Sequence, residues 1–116
     1  MLLVDDDADI RLIAEIALAR IGGLAVSTAA STAEARVALA ERRPDAVLLD
    51  VELPDLDGPA FAAELAAGPY ADIPIVFLSG YPMEDERRAP SIAGAILKPF
   101  DPLTLAAEIK ELLVWT

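Results

Sequence analysis

Ala46-Val47-Leu48-Leu49-Asp50 is a run of four apolar residues closed by a carboxylate, with the turn-rich Pro54-Asp55-Leu56-Asp57-Gly58 a few positions on. Bounded by turn residues and too short for a typical helix, the run reads as a strand buried on both faces, the form strands take in parallel sheets. The same ending recurs three times. Leu2 to Val4 stops on Asp5 and Asp6, Ile75 to Leu78 on Ser79, and Ala95 to Leu97 on Lys98. Ligands of open parallel sheets sit outside the carboxyl ends of the strands. Three carboxylates, one hydroxyl and one ammonium are therefore expected on one edge of one sheet.

The segments between these runs read as helices. Ile10, Ile13, Ala14, Ala17, Leu18 and Ile21 recur at helical spacing before Gly22-Gly23. Leu24 to Val26 supplies a second strand. Ser31 and Glu34 have the spacing of a capping box and open an Ala-rich helix that ends before Pro44. A helix from about Pro59 to Ala67 stops at Gly68-Pro69, and Asp101 with Pro102 predicts the start of a last helix running through Leu113. Between Ser79 and Lys98, the sequence from Gly80 to Pro90 leaves room for only a short or irregular fourth helix. Five strands alternating with helices predict right-handed crossovers and an α/β/α three-layer sandwich around a five-stranded parallel sheet.

Composition narrows the chemistry. The 116 residues suit a single domain spanning 1–116, one that buries roughly two thirds of its unfolded surface. With neither Cys nor His, a disulfide framework is excluded and zinc is a poor tenant, whereas the oxygen donors that remain suit Mg2+ or Ca2+. Nine basic residues against twenty acids, a net charge of -11, argue against a nucleic-acid partner. No run approaches the roughly 20 apolar residues of a membrane span, and the N-terminus has no basic signal-peptide start, so the expectation is a cytoplasmic protein.

Together these residues carry a resemblance. Val4-Asp5-Asp6, Leu48-Leu49-Asp50 with Pro54 and Asp57-Gly58 downstream, Ser79-Gly80, and Lys98-Pro99-Phe100, in that order and each at a strand end, resemble the receiver domain of the two-component response regulator family. The likeness runs over essentially the whole chain. It implies the flavodoxin-like fold with strand order 2-1-3-4-5, an order that periodicity alone leaves open. It also implies that Asp50 is the phosphoacceptor, taking a phosphoryl group from a phosphohistidine on a histidine kinase or phosphotransfer protein. Mg2+ would be held by Asp6 and Asp50, by the backbone carbonyl of Glu52, and by Asp5 through water. Lys98 would clamp charge, and Ser79 would hydrogen-bond a phosphoryl oxygen and move inward. Such a module turns over no external substrate, although it catalyses its own phosphorylation and dephosphorylation. Its output is a change in protein contacts with a downstream partner that the sequence does not name.

Elementary electrostatics agrees with a cation site. Two unit charges about 4 Å apart interact by roughly 4 kcal/mol at an effective dielectric near 20, so Asp5, Asp6 and Asp50 packed together repel unless a cation sits among them. Asp55 and Asp57 have a superficial calcium-loop spacing without the downstream ligands, and read as turn residues.

Three departures from the family pattern stand out. The position three before the lysine, commonly Tyr or Phe, is Ala95. Only nineteen positions separate Ser79 from Lys98, and they include Pro82 and Pro90. The run Phe77-Leu78-Ser79-Gly80-Tyr81 resembles both single-domain receivers and receivers of hybrid histidine kinases. These departures favour phosphorylation ordering Tyr81 to Pro90 over an aromatic switch. Two other classes stay open: a pseudo-receiver that docks without being phosphorylated, and a phosphatase of the haloacid-dehalogenase type, which would need an Asp where Glu52 stands. Trp115, beyond the last strand, is expected to report poorly on the acidic edge.

Overall fold

The computed structural model describes residues 1–83 and 91–115. The elements are β1 (Leu2–Val4), α1 (Ala8–Ile16) continuing into a π-helical turn (Ala17–Ile21), β2 (Ser27–Ala29), α2 (Thr32–Glu41), β3 (Val47–Asp50), α3 (Gly58–Ala66), β4 (Ile75–Ser79), β5 (Ile92–Leu97) and α4 (Leu105–Leu113). All strand pairs are parallel and the order is β2-β1-β3-β4-β5. The predicted short fourth helix falls on residues outside those described.

The three layers follow from strand alternation, because successive side chains point to opposite faces. Leu2, Val4, Val47, Leu49, Ile75 and Phe77 build one core with Leu39 of α2 and Phe61 of α3. Leu3, Leu48, Val76 and Leu78, one residue out of phase, build the other with Leu18 of the π turn and Leu105 and Ile109 of α4. Parallel strands apolar on both faces need cover on both, and the crossover helices supply it, so the runs that mark the strands also point to the sandwich.

Three boundaries differ from the sequence reading, the simplest being that β5 begins at Ile92, three residues before the Ala95 to Leu97 run. The second strand is Ser27–Ala29, not Leu24 to Val26. Parallel pairing to β1 begins at Leu2 opposite Ser27, while Leu24 and Val26 lie just before it and pack half-buried against the α1/α4 core. As an edge strand, β2 carries exposed Ser27 and Thr28, which hydropathy does not flag. The last helix begins at Leu105 with Thr104 at its N-cap, rather than at Asp101. Asp101 instead closes a turn, its carboxylate accepting from the Leu103 amide at 2.8 Å and its carbonyl from the Thr104 amide at 3.1 Å. Pro102 sits inside that turn, where its fixed φ is as suitable as at a helix start.

Candidate functional site at the carboxyl edge of the sheet

Each polar residue that closes an apolar run lands at the same edge. Asp5 follows β1 with its amide bonded to Ala29 of β2 at 3.1 Å, Asp50 ends β3, Ser79 ends β4, and Lys98 follows β5 with its amide bonded to the Ser79 carbonyl at 2.6 Å. Carboxylate oxygens of Asp5, Asp6 and Asp50 all lie within 4.8 Å of one another. They line a cleft of about 260 Å³ with Glu52, Gly80 and Lys98. A larger hollow of about 320 Å³, lined by Met1, Leu24, Arg42 and Trp115, lies at the opposite edge and gathers no such donor set. Trp115 is therefore remote from the acidic cleft.

Burial sets the electrostatics. Asp5 is fully buried and Asp50 is 4% exposed, whereas Asp6 is open to solvent. Lys98 Nζ reaches Asp5 Oδ2 at 3.1 Å and Asp50 Oδ1 at 3.2 Å, one ammonium shared between two carboxylates. Burial and then the charge of Asp5 push the Asp50 carboxyl up to about 6, against the opposing pull of Lys98. For Lys98, burial acts downward, but the two carboxylates outweigh it and hold the ammonium above its ordinary range.

Local backbone holds the acids in place. Asp5 Oδ1 accepts from the Asp7 amide at 2.9 Å, and Arg11 on α1 donates to the Asp5 carbonyl at 2.8 Å. Asp7, not Asp5 or Asp6, is the N-cap of α1, accepting from the amides of Asp9 and Ile10. That leaves Asp5 and Asp6 for the cleft. Asp50 Oδ1 accepts from the Glu52 amide at 3.2 Å. Gly58 opens α3 directly against the back of Asp50. Its amide donates to the Val51 carbonyl at 2.7 Å, and a Cβ there would lie 2.5 Å from the Asp50 carbonyl oxygen.

The donor set fits a hard divalent cation. Asp5 Oδ2 is buried without an aligned hydrogen-bond donor, although the Lys98 charge lies beside it, and among the described residues that one ammonium leaves three clustered carboxylates under-neutralised. Exposed Asp6 keeps one side open to water, as Mg2+ sites require.

Ser79 is at the edge and 1% exposed, but its hydroxyl is engaged locally with the backbone of Tyr81. Ala95 on β5 pairs with Phe77 on β4, and with Ser79, Pro82 and Met83 it lines a space of about 180 Å³. Asp57 is the N-cap of α3, accepting from the Ala60 amide at 2.8 Å, which is more than a turn role. Asp55 is the residue that the sequence reading undervalued. Its carboxylate accepts from the Thr32 amide at 3.2 Å, the Thr32 hydroxyl at 2.7 Å and the Ala33 amide at 3.1 Å, capping α2 from another element. A cap 22 and 23 positions away leaves no spacing signal.

The model of the response regulator receiver domain family matches residues 1–110. The transcriptional regulatory protein PrrA of Mycobacterium tuberculosis is 40% identical over 116 residues, covering 97% of this chain and 49% of that protein. The chain thus spans about half the length of the curated relatives it matches. Among solved structures, the chemotaxis response regulator CheY4 of Vibrio cholerae aligns at 30% identity with a TM-score of 0.86, covering 96% of this chain and 95% of that one. The response regulator TrrA of Thermotoga maritima, solved in complex with Mg2+-BeF, aligns at 27% identity with a TM-score of 0.78, covering 96% of each chain. Among the described residues, no helix is long and apolar enough to cross a membrane.

Proposed function

This chain belongs to the response regulator receiver family, and from that premise we propose that Asp50 accepts a phosphoryl group from a phosphohistidine on a histidine kinase or phosphotransfer protein. The observation that carries the reading is the convergence of Asp5, Asp6, Asp50 and Lys98 on one cleft at the carboxyl edge of the sheet. We read residues 1–116 as one such signalling module, acting in the cytoplasm through protein contacts.

In the proposed transfer, an Asp50 carboxylate oxygen forms a bond to phosphorus as the phosphorus–nitrogen bond to the histidine breaks, the imidazole nitrogen keeping the electron pair. Asp50 must be ionised to attack. With its carboxyl at about 6 it is largely so at neutral pH. Both hydrogen bonds that Asp50 accepts among the described residues fall on Oδ1. Lys98, held between Asp5 and Asp50, carries positive charge to where the phosphoryl oxygens arrive, the electrostatic assistance this chemistry needs most. Ser79 would hydrogen-bond a phosphoryl oxygen after releasing Tyr81.

Mg2+ is the cation proposed, with Asp6 and Asp50 as direct ligands, the Glu52 carbonyl as a third and Asp5 acting through water. Bound there, it would neutralise the carboxylates and the incoming phosphoryl oxygens. The donor chemistry of the cleft supports this, as does the Mg2+-BeF complex of TrrA.

The test is intact mass after incubation with Mg2+ and acetyl phosphate, for the wild type and Asp50→Asn. One phosphoryl adduct that needs Mg2+ and disappears in the variant is the expected result. No adduct, together with no Mg2+ binding in a calorimetric titration, would favour the pseudo-receiver.

A further inference from the structure

We propose that Asp55 is a positioning residue for the phosphoacceptor loop: by clamping the loop's outer turn to the first turn of α2, it holds the Glu52 backbone where the cation is bound. The inference rests on the reading of Asp50 as the Mg2+-dependent phosphoacceptor.

The loop between β3 and α3 leaves the sheet at Asp50 and returns at Gly58. Its inner end is tied to the cleft, the Glu52 amide bonding to Asp50 Oδ1, and its return is tied by the Gly58 amide on Val51. The outer turn has a different anchor. Asp55 Oδ1 accepts from the Thr32 amide, and Oδ2 from the Thr32 hydroxyl and the Ala33 amide. Thr32 is 1% exposed, so its hydroxyl depends on this carboxylate rather than on water. The negative charge also faces the positive end of the α2 dipole.

The clamp matters for function because of what Glu52 is proposed to contribute. A main-chain carbonyl cannot be tuned through its own side chain, so its position is a property of the loop. If the loop is loose before binding, ordering it is charged against the affinity for the ion; if it is pinned beforehand, that cost is already met. Asp55 lies three residues from Glu52 and supplies the pinning.

A purely structural role for Asp55, as a cap of α2, has a matched control. Ser31 caps the same helix from its own chain end, accepting from the Glu34 amide at 3.1 Å, and its side chain makes no hydrogen bond to the loop among the described residues. Asp55→Asn keeps one acceptor but must turn a donor toward either the Thr32 amide or the Ala33 amide. Thr32→Val removes the shortest of the three bonds, that of the Thr32 hydroxyl at 2.7 Å, and leaves the two amide bonds, whereas Thr32→Ser retains the hydroxyl.

The experiment measures two quantities on all of these variants of the 116-residue chain, after circular dichroism establishes that each is folded. One is the Mg2+ concentration giving half-maximal rate of adduct formation with acetyl phosphate. The other is amide exchange of Leu53 to Leu56 in the metal-free proteins. Asp55→Asn is expected to need about tenfold more Mg2+, the lower end of what partners of metal ligands are worth, with Thr32→Val shifted the same way by less, and both should exchange faster in the loop. Ser31→Ala and Thr32→Ser should match the wild type in both. An Asp55→Asn protein with wild-type Mg2+ dependence or loop exchange, or a Ser31→Ala protein shifted equally, would overturn the positioning role and leave Asp50 as phosphoacceptor. A wild type that forms no adduct would remove the phosphoacceptor reading itself, and this inference with it.

Discussion

The Ser79 hydroxyl donates to the Tyr81 carbonyl at 2.6 Å and accepts from the Tyr81 amide at 3.1 Å, so the side chain proposed to meet the phosphoryl group is latched to the backbone two residues on. Meeting a phosphoryl oxygen requires that the proton leave Tyr81. The inward movement also takes Oγ away from the Tyr81 amide that donates to it, so in the wild type Mg2+ with beryllofluoride should speed exchange of that amide by about fivefold, the worth of one ordinary hydrogen bond. In Ser79→Ala the resting amide should already exchange fast and respond little. Unchanged Tyr81 protection in the wild type would refute the latch.

Lys98 is the one ammonium within reach of both buried carboxylates among the described residues. Lys98→Ala should destabilise the metal-free protein by roughly 2 kcal/mol at neutral pH. That is below the cost of breaking a fully buried pair, because the lysine side chain keeps 22% exposure. Saturating Mg2+ should recover part of the loss. Urea unfolding with and without Mg2+ measures both, and a variant as stable as wild type in chelator would contradict the charge balance drawn here.

The raised carboxyl of Asp50 makes stability depend on pH in a definite sense. A folded-state value of about 6 against an ordinary 3.8 means that the folded protein holds this proton more tightly than the unfolded chain. The associated stability is fully present below about pH 4 and is lost as pH rises through about 6, a loss of roughly 3 kcal/mol at most. In chelator, Asp50→Asn should lose this component, so its advantage over wild type in urea midpoint should grow from about pH 4 to about pH 7.5. An advantage that is constant with pH would show that Asp50 does not carry the effect.

Gly58 touches the phosphoacceptor from behind. A methyl group there would meet the Asp50 carbonyl oxygen at 2.5 Å and Val51 Cα at 2.8 Å, both backbone atoms with little room to yield. Gly58→Ala should cost about 1–3 kcal/mol of stability and slow phosphorylation, because relief comes only by moving α3 or the end of β3. The same substitution at Gly80, where nothing lies within 4 Å, should be far milder. Paired urea melts and adduct rates decide, and equal effects at the two sites would count against the close approach.

Much of this architecture was legible in the sequence because burial on both faces forces a strand to be apolar throughout. Leu2 to Val4, Val47 to Leu49 and Ile75 to Leu78 announced the three central strands, and the polar residue ending each run announced the site edge. The capping box at Ser31 was equally plain: Ser31 accepts from the Glu34 amide, and the Glu34 carboxylate reaches back to the Ala30 amide at 3.3 Å. The edge strand was misplaced by three residues because pairing with β1, rather than hydropathy, decides where β2 begins. The start of α4 was misplaced because Asp101 and Pro102 suit a turn and a helix start alike.

By itself, the sequence determined the alternation of strands and helices, the two-sided core and the residues that must end each strand. These are local matters of periodicity and of whether a side chain can leave water. Only the tertiary structure decided which carboxylates share Lys98, that Asp7 and not Asp5 caps α1, that Ser79 is latched to Tyr81, and that Asp55 caps a helix more than twenty residues away. Each of these depends on distances between elements that the chain brings together through strand pairing and layer packing, and no spacing along the sequence encodes such a distance.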